Sequence, residues 1–137
     1  MALPNGGGGY QIGDGNINET DFFVTPVPAT ATVTATLTSA QVLNGTLLGS
    51  PGSSAASYTL PTVSDLENTL LNADKPNITF DFSVVNVNGS GSGVITLVAG
   101  TGWTLVGLMT VLATAGTAQL FRARKTGTGA WTLYRRG

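Results

Sequence analysis

The stretch Asn77–Trp103, NITFDFSVVNVNGSGSGVITLVAGTGW, constrains the fold of this chain more than any other. It opens with strict alternation, with Ile78, Phe80, Phe82 and Val84 on one side and Thr79, Asp81 and Ser83 on the other. A two-residue period marks a half-buried strand, because successive side chains point to opposite faces. At Val84-Val85 the phase changes, and Val85 and Val87 become the apolar set. That switch predicts a β-bulge or a strand passing from one sheet to another. Asn88-Gly-Ser-Gly-Ser-Gly93 supplies a turn, Val94–Ala99 returns as a strand, and Gly100-Thr-Gly102 stops it. The stretch therefore predicts a long hairpin at the core of an all-β domain.

The flanking sequence extends this pattern. Upstream, Ala29–Leu37 alternates threonine with apolar residues and Ala55–Leu60 reads as a short strand ending at Pro61. Downstream, residues 104–106, 108–113, 118–124 and 130–135 are strand-length runs separated by glycine-containing turns. Turns at this spacing predict about eight to nine strands in a sandwich or barrel. Thr38–Asn44 reads as one helical turn closed by Gly45. Ser64-Asp-Leu-Glu67 has the spacing of a capping box, which predicts a helix over Asp65–Asn72 that Pro76 prevents from continuing. Phe22, Phe23 and Val24 precede Pro26 and Pro28, the pattern of an edge strand or corner. The predicted fold is all-β: a two-sheet, jelly-roll-like β-sandwich over residues 21–137, with one short helix and an extended Gly-rich arm over residues 1–20.

Charge is scarce. Charged residues make up 9% of the 137, against about 25% in an average soluble domain. Either a threonine-coated β surface or burial against other subunits accounts for this. Residues 1–81 hold all seven acids and a single base, Lys75, for a net of −6. Residues 82–137 hold five bases and no acid, for a net of +5. The two halves are either neighbours in one fold or complementary faces between protomers. The basic cluster is too small to predict nucleic-acid binding. No charge falls between Asp81 and Arg122, and residues 94–116 are mostly apolar. Glycines and β-branched residues interrupt that run, which predicts strands rather than a membrane span. Met1-Ala-Leu-Pro-Asn5 lacks the basic start and apolar run of a signal peptide.

The chemistry-bearing residues are few. The chain has no cysteine and no histidine, which removes thiolate and imidazole metal sites and the commonest general acid/base. Asp65 and Glu67 belong to a helix's first turn, where the macrodipole explains them, and Asp81 lies alone on a polar strand face. Asp14-Gly-Asn16 lacks the remaining ligands of a calcium loop. Gly6–Gly9 has no following Gly-Lys-Ser/Thr and is no phosphate cradle. Trp103, Trp131 and Tyr134 are expected as core or interface anchors before sugar-stacking platforms. The expectation is no enzyme, no cofactor and no metal site. Candidate interface residues are Tyr10, Gln11 and Ile12 in the arm, Phe22 and Phe23 at its root, and Arg135 and Arg136 at the C-terminus.

Several blocks taken in order carry a family resemblance. They are Ser57-Tyr-Thr-Leu-Pro-Thr62, Asn77–Asn86, Gly100-Thr-Gly-Trp-Thr-Leu-Val-Gly107, Phe121-Arg-Ala-Arg-Lys125 and Gly129-Ala-Trp-Thr-Leu-Tyr-Arg135. Together they resemble a recurring module of tailed-bacteriophage virion proteins over about residues 37–136. The resemblance implies a structural component without catalysis, located in the virion at the capsid surface. It implies a head decoration (cement) protein that binds the major capsid protein as a homotrimer and stabilises the assembled head. The alternative it implies is a tail-fibre or baseplate module that binds a host-surface glycan. Neither nucleic acid nor membrane is an expected partner.

Overall fold

The computed structural model describes residues 22, 24–72, 74–88, 92–114 and 117–137. Its elements run in order β1 (Ala29–Ala31), β2 (Ala35–Thr36), α1 (Ser39–Leu43), β3 (Thr46–Gly49), β4 (Ala56–Thr59) and α2 (Val63–Thr69). They continue with β5 (Thr79–Asn86), β6 (Ile95–Val98), β7 (Trp103–Val106), β8 (Thr110–Val111), β9 (Ala118–Gly127) and β10 (Ala130–Arg136). The fold is β-rich, with two mixed sheets. One is six-stranded in the order β1-β3-β5-β9-β10-β7, and the other is four-stranded in the order β2-β4-β6-β8.

From β1 to β6 the chain changes sheet at every strand. β1, β3 and β5 enter the larger sheet, while β2, β4 and β6 enter the smaller one. Each strand lies parallel to its predecessor in the same sheet. The chain thus winds through three stacked turns of a two-strand coil, which place Ala29, Leu47 and Val84 in one row and Ala35, Tyr58 and Leu97 in another. The helices α1 and α2 fill the returns from the smaller sheet to the larger. The antiparallel β9–β10 hairpin then inserts between β5 and β7. Five of the eight pairings are parallel, a departure from the antiparallel ladders of a jelly roll.

The central stretch is therefore not a hairpin. Its first strand, β5, pairs with β3 and β9, and its second, β6, pairs with β4 and β8 in the other sheet. The alternation of β5 also runs on without a phase switch: Phe82, Val84 and Asn86 are buried in turn, while Val85 is half-buried on the opposite face and Val87 is exposed. Asn86 carries the core face to its end, and its side chain explains how. Its Nδ2 donates to the Gly93 carbonyl at 2.7 Å, and its Oδ1 accepts from the Asn88 amide at 3.0 Å. A buried amide satisfied in this way stitches the end of β5 to the start of β6, where an apolar side chain would leave those backbone groups without it.

Other local expectations change for similar reasons. The Ala29–Leu37 run is two strands, not one, because the chain turns between the sheets at residues 32–34. The Tyr58 hydroxyl donates to the Ala31 and Thr32 carbonyls there, and the Thr34 hydroxyl accepts from the Ser57 amide. The N-cap of α2 is Thr62, whose hydroxyl accepts from the Asp65 amide, so Ser64 lies inside the helix and Glu67 is free for another role. The capping box belongs instead to α1, between Thr38 and Gln41. That helix ends as expected at Gly45, whose φ of 98° is the left-handed geometry glycine adopts without strain. Residues 94–116 contain β6, β7 and β8, and no helix of the described residues is long and apolar enough to cross a membrane.

One buried cluster serves both sheets. It includes Leu47, Phe82, Val84, Phe121, Trp131 and Leu133 from the larger sheet, Tyr58, Ile95, Leu97 and Val111 from the smaller one, and Val42, Val63 and Leu66 from the helices. The Asn86 bonds generate a direct test. Asn86→Leu keeps the two-residue pattern but strands the Gly93 carbonyl and the Asn88 amide, and it is expected to lower stability by about 1–3 kcal/mol in chemical denaturation. A stabilised variant would show that apolar burial, not the amide, holds this crossover.

Candidate functional site

The β9–β10 hairpin brings most of the chain's aromatic and basic residues together, because its alternation sends one set inward and the other outward. On the inner side, the Trp131 ring lies 5.6 Å from that of Phe80 and 6.1 Å from that of Trp103. Its indole N–H donates to Glu67 Oε1 at 3.1 Å, and the same oxygen meets Lys125 Nζ at 3.0 Å. Lys125 is the last inward residue of β9 before the turn, and its side chain is almost wholly buried. Hydrogen bonding to Lys125, assisted by the Trp131 indole, holds the Glu67 carboxyl below its usual range. The Trp103 indole N–H donates to the Pro61 carbonyl at 2.8 Å. Both tryptophans are buried, so neither offers a face to a sugar.

On the outer side, cross-strand register lines up three rows: Thr79, Arg124 and Thr132; Asp81, Arg122 and Tyr134; Ser83, Leu120 and Arg136. Asp81 is not alone there. Arg122 donates to both its oxygens, Nε at 2.7 Å and Nη2 at 2.9 Å, and this fork holds the Asp81 carboxyl below its usual range. Arg124 reaches Asn77 Oδ1 at 2.7 Å and the Tyr134 hydroxyl at 2.9 Å, with its guanidinium over the Tyr134 ring. Asn77 can serve because it holds a φ of 73°, which its short polar side chain tolerates. The acidic and basic halves of the sequence are thus joined within one fold by the Asp81–Arg122 and Glu67–Lys125 pairs.

The expected interface residues fare unequally. Tyr10, Gln11, Ile12 and Phe23 lie outside the described residues, as does Asp14-Gly-Asn16. Phe22 is exposed and leads toward β1 at one edge of the larger sheet, whereas Arg135 and Arg136 lie on β10 beside the other edge. Arg135 is committed internally, since its Nη1 donates to the Leu108 and Thr110 carbonyls at 2.9 Å each. Arg136 faces outward and is exposed. Glu67, Lys125, Asn77 and Arg124 were not singled out as candidates, because residues so far apart in the chain meet only through sheet register. Among the described residues no group of three or more His, Cys, Asp or Glu could hold a metal ion.

Two open clefts flank α2. One, of about 590 Å3, has a mixed lining that includes Thr36, Leu37, Pro61, Thr62, Asp65 and Asn68. The other, of about 470 Å3, lies between the end of α2 and the start of β5 and is lined mainly by Leu70, Leu71, Ile78 and Phe80. The chemistry available in either is shape, apolar contact and hydrogen bonding. Comparison with known proteins finds no matching family model, no matching curated protein and no matching solved structure.

A carboxyl whose pKa is lowered in the folded state stabilises the fold above its ordinary value, 4.5 for Glu67, and that contribution is lost as pH falls through the lowered value. Glu67→Gln should therefore cost about 2–3 kcal/mol at pH 7, and the gap to the unaltered protein should close as the pH falls below 4.5. Thermal unfolding of both proteins across that range checks it. A gap that persists undiminished in acid would assign the loss to packing.

Proposed function

We propose that this chain is a non-enzymatic structural protein of a tailed-bacteriophage virion, of the head decoration (cement) kind. In this reading it binds the major capsid protein at the surface of the assembled head, as a homotrimer, and its residue 1–20 arm reaches a neighbouring subunit. Binding only to the assembled shell shifts the equilibrium toward that shell by mass action. We infer with this that the two sheets stack face to face as a sandwich, a reading supported by the single buried cluster that draws side chains from both.

The observation that carries the proposal is the root of the arm. Phe22, Val24 and Val27 are 80%, 102% and 85% exposed, and the Val27 carbonyl is tied to the domain by the Asn44 side chain at 2.9 Å. These three apolar side chains, held outside their own core, fit a segment that is covered by another subunit. The apolar set expected from Val85 and Val87 gives no such support, since β5 keeps its phase and its outer face carries Thr79, Asp81 and Ser83 beside a half-buried Val85. The glycan-binding alternative is weakened by the burial of Trp103 and Trp131.

Deleting residues 1–20 tests the arm's role. Occupancy on purified heads is expected to fall at least about tenfold, the effect of losing roughly 1.4 kcal/mol of binding, while the melting transition of the remaining domain stays in place. Undiminished occupancy would contradict the proposal.

A further inference from the structure

The apolar cleft between α2 and β5 has a chemistry that the domain itself leaves unused. Leu70, Ile78 and Phe80 are only partly covered, and Leu71 stands 85% exposed at the rim. Ile78 and Phe80 are alternate residues of one chain segment, so the cleft presents a short apolar floor suited to an extended peptide with side chains at the same spacing. The arm contains one. Tyr10 and Ile12 alternate around Gln11, with polar or glycine residues on either side. In an extended segment both side chains point the same way.

Charge agrees with this match. Residues 1–21 contain Asp14, Glu19 and Asp21 and neither lysine nor arginine. Arg124 is paired in register with Thr79, which lines the cleft, and Lys75 is exposed three residues beyond Asn72 on its rim, next to Asp74. With Tyr10 and Ile12 seated in an extended segment, Asp14 follows two residues later on the same side of the arm. The ten-residue step from Ile12 to Phe22 reaches about 33 Å when extended, enough to span to an adjoining copy. The exposure of Phe22, Val24 and Val27 favours that direction, because the chain leaves its own domain without burying them.

We propose that the cleft lined by Leu70, Leu71, Ile78 and Phe80 is the docking site for the Tyr10-Gln11-Ile12 segment of a second copy of this chain. The contact joins two different patches, so it closes as a reciprocal pair or a ring, or else runs on as an open chain. This rests on the reading of residues 1–20 as an arm and not on attachment to a phage head.

Two full-length variants test it by complementation in sedimentation velocity on purified protein. Tyr10→Ser/Ile12→Ser spoils the arm and keeps the cleft. Leu71→Glu keeps the arm and spoils the cleft at an exposed position that the fold does not need. The unaltered protein is expected to associate, each variant alone to weaken association at least tenfold, and an equimolar mixture of the two to form a one-to-one complex. An unaltered protein that stays monomeric overturns the proposal and leaves the cleft to the chain's own arm or to a foreign partner. Variants that associate as well as the unaltered protein place the contact elsewhere, and a mixture without a complex excludes arm exchange. None of these outcomes bears on head occupancy, which is measured separately on purified heads.

Discussion

The structure depends on the environment of the Trp131 indole. From β10 this one ring reaches Phe80 on β5 and Trp103 on β7, and through its N–H it reaches Glu67 on α2. Four elements far apart in sequence are thereby held at one point. A fully buried indole supplies a large apolar surface, but its N–H must find an acceptor. Glu67 is that acceptor, and the buried Lys125 in turn pairs with its half-buried carboxylate. The ion pair is best understood as the condition under which the tryptophan can be buried, because a charge pair taken out of water contributes little net stability on its own.

Around that point, the fold was legible where the signal is local. The Phe80–Val84 alternation, the helical turn ended by Gly45 and the strands over 118–124 and 130–135 all rest on neighbouring residues, and all are present. Legibility failed where the deciding partner is distant. Asn86 looks like the end of a strand, and only the Gly93 carbonyl across the crossover makes it a core residue. Val85 and Val87 mimic a phase switch because an exposed valine and a buried asparagine exchange their usual places. The Ser64–Glu67 spacing matches a cap, yet Thr62 is better placed and Glu67 is drawn to Lys125. The parallel coil was invisible for a related reason. A Gly/Ser loop between two apolar runs suits a hairpin and a crossing between sheets equally well, and register with β3 and β4 decides between them.

The same division holds for the candidate surfaces. Charge asymmetry along the chain was plain, but its meaning depended on register. Two of the opposite-signed residues meet two others inside the domain, which reduces the charge left for a partner. Among the described residues, the groups left outward include Arg136, Lys75, Asp65 and Asp74, the Arg124–Tyr134 pair, and exposed apolar side chains at the root of the arm and at the rim of the α2–β5 cleft. These are features of recognition by contact.

The proposed function places the protein on the head of a tailed phage. Electron cryomicroscopy of purified virions, with and without this chain, measures that directly. The account predicts difference density repeated over the surface of the head, fitted by the two-sheet domain and absent from particles lacking the chain. Difference density confined to the tail, or none on the particle at all, would contradict it.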